Sequence, residues 1–385
     1  DEVPFEWANE IALSTSATSL NIKICVYTGN DIFEQVKNTK GILAKNKMIK
    51  EHYEGRLKQL AFLPFYHIFG LFATYFWFSI FGRTFVFLQD YSSETILRTV
   101  RRLNVTHIFA VPMLWNSVYK GIMKEVSHKD EKTQKKFNKG INFSLKLQKA
   151  FPKLGLKFAK RAFREVREKT FGDSIKFMIS GGSYIPEDTL RILNGIGYPL
   201  FNGYGMSEIG ITSVELRENV KYRLLGTIGK PFDSIQYKIE DQKLYVKGKS
   251  ICSKIITKND IIDVNHDDYF LTNDIAKIDD RNYYYVLGRL DDVVTSSTGE
   301  KINPDIIEKE LNIPSVNHYS ILGLDYDGIN ALTLIIEIRK DISSLKIKKI
   351  FNELENNLLK LEKLNYHIEK IYFTNDAIAA KTAIK

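Results

Sequence analysis

The sequence predicts an α/β protein in two parts. A large N-terminal domain over residues 1–290 is built on a doubly wound, mostly parallel sheet, and a small α+β domain follows over 291–385. Three observations lead there. Short β-rich runs alternate with helical patterns through the first 290 residues, the strand–crossover–strand rhythm of a parallel sheet. After Leu225 the pattern changes to ribbons with tight turns, which marks 225–290 as a smaller antiparallel β subdomain. Beyond the charged joint Gly288-Arg289-Leu290-Asp291-Asp292, two strands and one long helical pattern remain, enough for a separate small domain.

Taken in order, Lys58-Gln59-Leu60-Ala61-Phe62-Leu63 reads as the first buried strand. The segment 59–82 has no Lys, Arg, Asp or Glu, but Pro64, His67 and Gly70 interrupt it. A strand, a turn and a core helix therefore explain it better than a membrane span. Residues 91–103 form an amphipathic helix opened by Ser92-Ser93-Glu94. His107-Ile108-Phe109-Ala110-Val111-Pro112 and Ile175-Lys176-Phe177-Met178-Ile179-Ser180 are further strands, the latter running into Gly181-Gly182. A helix over 187–195 leads to a strand over 198–202. The runs 234–239 and 243–248 pair as a ribbon, and the last part holds strands over 319–324 and 332–338 and a helix over 345–361. There is no internal repeat.

Composition narrows the class. The chain has 385 residues, 44% of them hydrophobic and 26% charged, with only 9 Pro. That profile excludes wholesale disorder, a collagen-like chain and a disulfide scaffold. Cys25 and Cys252 lie far apart and lack CxxC spacing, as expected of reduced cysteines in a cytoplasmic protein. Asp1-Glu2-Val3-Pro4 has neither the basic start nor the apolar run of a secretory signal.

The net charge of +9 is concentrated. Residues 120–169 hold sixteen Lys/Arg against five Asp/Glu, a net +11, on helically spaced apolar positions such as Phe158, Ala162, Phe163 and Val166. Two readings stand: a solvated helical face, or a basic amphipathic surface that meets anionic lipid or a polyphosphate substrate. Nucleic acid fits less well, because no aromatic-flanked basic stripe accompanies the charge.

The strongest local signal is Asn202-Gly203-Tyr204-Gly205-Met206-Ser207-Glu208, directly after a predicted strand. Ligands in open α/β sheets bind beyond the carboxyl ends of strands. Here two glycines permit close approach, Tyr204 offers a flat face, Ser207 a hydroxyl and Glu208 a carboxylate. By itself the string also fits an ordinary strand-to-helix turn. Further along, Leu271-Thr272-Asn273-Asp274 ends a strand with a carboxylate suited to paired ribose hydroxyls. Gly288-Arg289 follows, then Gly299-Glu300-Lys301-Ile302-Asn303-Pro304 and a helix start at Asp305.

In this order, from about residue 11 to the end, these segments resemble the adenylate-forming superfamily of acyl- and aryl-CoA synthetases, nonribosomal peptide adenylation domains and luciferases. The resemblance implies that Tyr204, within Tyr204-Gly205-Met206-Ser207-Glu208, stacks on adenine. Ser207 touches phosphate and Glu208 holds Mg²⁺, which prefers oxygen ligands. Gly181, Gly182 and Ser183 match the adenine-side turn. Asp274 and Arg289 match the ribose contacts, although Asn273 replaces the usual glycine of Thr-Gly-Asp. Asp291 falls on the hinge about which the small, mobile domain turns, and the Gly299 loop on the coenzyme A side. Leu63-Pro64-Phe65-Tyr66-His67-Ile68-Phe69-Gly70 resembles the acyl-pocket segment. In it His67 reads either as a pocket wall, with Gly203, or as plain core. No Asp in this stretch awaits a substrate ammonium, which favours a simple carboxylic acid.

Two segments depart from the family pattern. The phosphate loop becomes Thr15-Ser16-Ala17-Thr18-Ser19-Leu20-Asn21-Ile22-Lys23: its hydroxyls (Thr15, Ser16, Thr18) and Lys23 remain, its internal glycines do not. Ala17 and Leu20 restrict a loop whose glycines ordinarily wrap phosphate. At the far end only Lys381 persists, in Asn375-Asp376-Ala377-Ile378-Ala379-Ala380-Lys381. The family's customary N-terminal subdomain has no counterpart in the sequence.

The resemblance thus implies an ATP-dependent, Mg²⁺-assisted ligase that makes an acyl-adenylate and passes the acyl group to coenzyme A. The lysine-rich insertion at 120–169 looks like that of long-chain fatty acyl-CoA synthetases and suggests a fatty acid, with peripheral membrane contact. Loading onto a carrier-protein phosphopantetheine is the alternative acceptor, and an AMP-binding relic without catalysis the alternative fate.

Overall fold

The computed structural model describes residues 9–15, 22–45, 50, 57–80, 83–290, 294–295, 301–316, 318–326, 329–338, 341–364 and 366–376. An antiparallel hairpin, β1 (Glu10–Ser14) and β2 (Ile24–Thr28), opens the described chain, with Ser14 opposite Ile24. Helix α1 (Gly29–Lys45) follows. The centre is a seven-stranded sheet in the order β4-β3-β5-β6-β7-β8-β9. Its strands are β3 (Lys58–Ala61), β4 (Thr84–Phe87), β5 (His107–Ala110), β6 (Phe177–Ser180), β7 (Leu200–Met206), β8 (Gly210–Val214) and β9 (Lys230–Pro231). The first five run parallel, and β8 and β9 turn back antiparallel. All eight residues of β5 and β6 are buried, as both faces of a helix-covered parallel sheet require.

The charge-free segment after β3 is wound more widely than an ordinary core helix. A turn closes with the His67 N–H donating to the Pro64 carbonyl, and a π-helix, Phe69–Phe76, continues into the short α2 (Trp77–Ile80). Among the described residues no helix is long and apolar enough to cross a membrane. Helix α3 (Ser93–Arg102) starts where Ser92 caps it, the hydroxyl accepting from the Thr95 N–H. Helices α4 (Pro112–Ser127), α5 (Glu131–Ala150), α6 (Pro152–Ala162) and α7 (Arg164–Lys169) fill the long crossover from β5 to β6. Helix α8 (Glu187–Gly195) connects β6 to β7, and α9 (Val220–Arg223) lies between β8 and β9.

Four strands, β10 (Ile235–Glu240), β11 (Lys243–Gly248), β14 (Phe270–Ile278) and β15 (Tyr284–Arg289), pair antiparallel in the order β10-β11-β14-β15. Asp241 and Gln242 turn the first ribbon with positive φ (48° and 63°), the backbone of a two-residue hairpin. The intervening β12 (Lys254–Ile256) and β13 (Ile261–Asp263) instead extend the opening hairpin into a sheet ordered β1-β2-β12-β13. Residues 225–290 thus serve three sheets: β9 closes the central one, β10, β11, β14 and β15 form their own, and β12 and β13 join the start of the chain.

The last part holds the small hairpin β16 (Val294–Thr295) and β17 (Lys301–Ile302) and helix α10 (Pro304–Glu310). It continues with β18 (Tyr319–Tyr326), β19 (Ile329–Glu337), helix α11 (Ser344–Lys363) and β20 (Lys370–Thr374). These bury an interior of their own around Ile307, Ile321, Leu332, Leu334, Ile350 and Leu354.

Candidate functional site

Strand β7 carries Gly203, Tyr204 and Gly205 and then turns through Ser207 and Glu208 into β8. The motif therefore sits on a strand-to-strand hairpin and not on a strand-to-helix turn. Gly205 is required by packing: a Cβ there would lie 2.3 Å from the Gly210 carbonyl oxygen. At Gly203 a Cβ would press 3.2 Å from Val214 and 3.4 Å from Ile179. The hairpin turn is pinned from below. The Tyr27 hydroxyl donates to the Ser207 carbonyl at 2.8 Å, and the Cys252 N–H to the Glu208 carbonyl at 3.1 Å. Ser207 and Glu208 are consequently buried. Cys25 and Cys252, distant in sequence, are both free and buried at this floor, where their mutual contact and burial push the Cys25 thiol far up.

Tyr204, Asp274 and Arg289 meet directly. The Tyr204 hydroxyl donates to Asp274 Oδ2 in a short hydrogen bond, and Arg289 Nη1 lies 3.5 Å from Asp274 Oδ1. Burial of the phenol, reinforced by the Asp274 carboxylate, pushes Tyr204 well above its ordinary range. Asp274 lies within β14 rather than at its end, because the strand continues past it to Ile278. The ladder with β15 then places Arg289 opposite Asp274. Asn273 adopts φ +61°, the left-handed region that a glycine takes at no cost and that Asn tolerates better than most residues. The change from Thr-Gly-Asp to Thr272-Asn273-Asp274 thus keeps the backbone shape. The Asp274 N–H is held by the Thr272 hydroxyl at 3.2 Å, and the Arg289 carbonyl accepts from Asn303 Nδ2 at 3.0 Å.

The Gly181-Gly182-Ser183 turn follows β6, and the pairing of Ser180 with Asn202 sets it beside Gly203 and Tyr204. Gly182 has φ +89°, and a Cβ on Gly181 would come 2.8 Å from the Phe69 ring. The first residue of the π-helix therefore abuts the Gly181-Gly182 turn. His67 is half-buried two residues earlier, with burial lowering its pKa below 6.5.

On the other side, Thr15 and Lys23 close the mouth of the β1–β2 hairpin. The Thr15 N–H donates to the Lys23 carbonyl at 2.8 Å, and the Lys23 N–H to the Thr15 hydroxyl at 3.1 Å. Lys23 Nζ reaches to 3.6 Å from Glu208 Oε1. Sequence reasoning did not anticipate this pair, nor the Tyr204–Asp274 bond. Both link residues far apart in sequence, and no local pattern encodes them. Ser16, Thr18, Asp291, Gly299 and Lys381 lie outside the described residues.

Among the described residues no group of three or more His, Cys, Asp or Glu side chains forms a metal cage. Glu208 is a single carboxylate beside a hairpin mouth. That donor set fits Mg²⁺, which commonly keeps waters and binds through one or two carboxylates plus substrate phosphates.

Comparison with known proteins bears on the family and the fold. The family model described as AMP-binding enzyme matches residues 15–251. Long-chain-fatty-acid--CoA ligase 2 of Schizosaccharomyces pombe is 24% identical over 325 residues, covering 78% of this chain and 46% of the relative. Long-chain-fatty-acid--CoA ligase 3 of Saccharomyces cerevisiae is 25% identical over 77% of this chain and 45% of its own length. The chain thus spans about half the length of these curated relatives. Among solved structures, the o-succinylbenzoate CoA synthetase of Bacillus subtilis with its acyl-adenylate intermediate aligns at a TM-score of 0.65 and 20% identity, covering 96% of this chain and 66% of that one. ATP-bound MatB of Rhodopseudomonas palustris aligns equally well, at 0.65 and 19% identity over 96% of this chain and 65% of its own. With the motif order, the mixed sheet and the family match over most of its length in agreement, the chain belongs to the AMP-binding enzyme family.

Proposed function

We propose that this chain is the nucleotide-binding and catalytic part of an ATP-dependent acid–thiol ligase, which activates a carboxylic acid as acyl-AMP and transfers it to coenzyme A. The observation that supports this most is the convergence of Tyr204, Asp274 and Arg289 within one hydrogen-bonded cluster, with Glu208 at the β7–β8 turn and Lys23 reaching it from the β1–β2 hairpin. The three groups offer an aromatic face, a carboxylate for two ribose hydroxyls and a guanidinium. Glu208 and Lys23 address phosphate.

In the first half-reaction a carboxylate oxygen of the acid attacks the α-phosphorus of ATP, and the bond to pyrophosphate breaks. Negative charge crowds the transition state, so the protein's contribution is positioning and charge stabilisation. Lys23 and Lys381 supply cationic groups, with Ser207 on the phosphate. Mg²⁺ held by Glu208 would neutralise phosphate charge. Asp274 and Arg289 fix the ribose while Gly181 and Gly182 let the nucleotide approach the backbone. In the second half-reaction the coenzyme A thiol attacks the acyl carbon, forming the thioester and releasing AMP. The 291–385 domain turns about Asp291 between the two, exchanging Lys381 for the Gly299 loop. A fatty acid is the favoured substrate, supported by the two yeast relatives and by an acyl segment, 63–70, without an acidic partner for an ammonium group.

The test is pyrophosphate release from ATP and Mg²⁺ with a panel of acids, with and without coenzyme A. Lys381→Ala is expected to cut acyl-adenylate formation by roughly 10²–10³ and to spare thioester formation from supplied adenylate. Equal damage to both halves refutes that role. Turnover only with a carrier protein would replace coenzyme A as the acceptor, and no pyrophosphate release with any acid would refute the ligase reading itself.

A further inference from the structure

The α5–α6 corner lies outside the site described above and carries the strongest surface asymmetry of the chain. Residues 132–164 contain eleven Lys/Arg and no Asp or Glu. Helix α5 ends at Ala150 and α6 begins at Pro152, so Phe151 alone makes the corner. The helices cross there without slack: a Cβ on Gly155 would lie 2.3 Å from the Gln148 backbone nitrogen. The inner face is anchored to the domain by the Ser144 hydroxyl on the Gly195 carbonyl (2.7 Å) and Gln148 Nε2 on the Asn194 carbonyl (3.0 Å). The outer face is apolar at its apex. Phe151 is 61% exposed, Leu154 57% and Phe143 54%, with Phe143 edge-on to Phe158 at 5.1 Å. Exposed Lys146, Lys149, Lys153 and Lys157 flank these side chains.

We infer that this corner docks on an anionic lipid surface, its apolar apex entering the headgroup boundary while the lysines sit among lipid phosphates. Single exposed apolar residues need no explanation, but three of them on a helix corner whose only charges are basic do. A bilayer answers both features at once, since basic amphipathic elements bind by apolar burial plus attraction to anionic headgroups. An acidic protein or a nucleic acid would answer the charge alone. The inference goes beyond the ligase reading, because nothing in acid activation at Asp274 requires this corner.

The experiment is flotation of the whole chain with vesicles of phosphatidylcholine alone and of phosphatidylcholine mixed with phosphatidylglycerol. Binding is expected only to the anionic vesicles and should weaken as salt is added. Phe151→Ser with Leu154→Ser should abolish it, and each Lys→Gln at 146, 149, 153 or 157 should lower partitioning roughly fivefold. An unchanged thermal transition shows that the double variant still folds. Independently, Phe151→Trp should shift its emission to the blue on anionic vesicles alone. Equal binding to neutral vesicles, or no binding of the folded protein, overturns the inference. So does binding that survives the double Ser variant while the lysine variants lose it, since that pattern belongs to a polyanion such as nucleic acid or an acidic protein.

Discussion

Asn273 stands one residue before Asp274 in a left-handed backbone conformation, and replacing it tests whether backbone shape or side chain matters there. Holding an L-residue in that region costs roughly 1–2 kcal/mol, less for Asn and nothing steric for Gly. At φ +61°, Asn273→Ala is therefore expected to cost about 1 kcal/mol and Asn273→Val, with a branched Cβ, up to about 2 kcal/mol. Asn273→Gly should be close to neutral: it relieves the native strain but adds about 0.5–1 kcal/mol of unfolded-chain entropy. Each lost kcal/mol lowers the melting temperature by roughly 2–4 °C in a domain of this order of size. Because the Asn273 carbonyl accepts the Leu290 N–H at 2.7 Å, a twisted backbone also displaces Arg289 next to Leu290. AMP affinity, followed by titration calorimetry, should fall in the order Gly, Ala, Val along with stability. If Gly and Ala lose stability equally, the side chain and not the backbone angle is what the position needs, and the strain argument fails.

Three further outcomes follow from the same cluster and its surroundings. Tyr204→Phe removes the donor to Asp274 Oδ2 and should lower unliganded stability by about 1–2 kcal/mol in urea, whereas no change would mean that water replaces the hydroxyl fully. Arg167 is fully buried, with Nε on Asp173 at 2.6 Å, Nη1 on the Ile196 carbonyl at 3.1 Å and Cζ 4.2 Å from the centroid of the Tyr198 ring. Arg167→Met should cost about 3 kcal/mol, and a loss under about 1 kcal/mol would refute its structural weight. His67 is held below its ordinary pKa of 6.5 by burial, so the unfolded chain takes up protons that the folded chain refuses. Its contribution is complete above pH 6.5 and is lost as pH falls toward the depressed value. Stability measured between pH 5 and 7 should therefore slope less in His67→Asn than in the parent, and an identical slope would remove His67 from the account.

Much of the candidate site was legible because each piece depends on local backbone chemistry. Gly182 has a positive φ and Gly205 a contact closer than any Cβ allows, so their motifs print directly in sequence. The capped helix at Ser92 and the mostly apolar, wholly buried β5 and β6 were readable for the same reason. What escaped was non-local or depended on winding. Nothing in residues 69–76 distinguishes a π-helix from an α-helix, since both bury an apolar run. The hairpin after Tyr204 resembles a strand-to-helix turn until β8 is seen to pair back onto β7. The joining of β12 to β2, which brings Cys252 beneath Glu208, is a contact across more than two hundred residues that no periodicity announces.

The interior formed by Ile307, Ile321, Leu332, Leu334, Ile350 and Leu354 is filled entirely from the last part of the chain. A substitution such as Leu334→Ala is therefore expected to loosen that interior first, and its effect reaches the Tyr204–Asp274–Arg289 cluster through Asn303, whose side-chain amide donates to the Arg289 carbonyl.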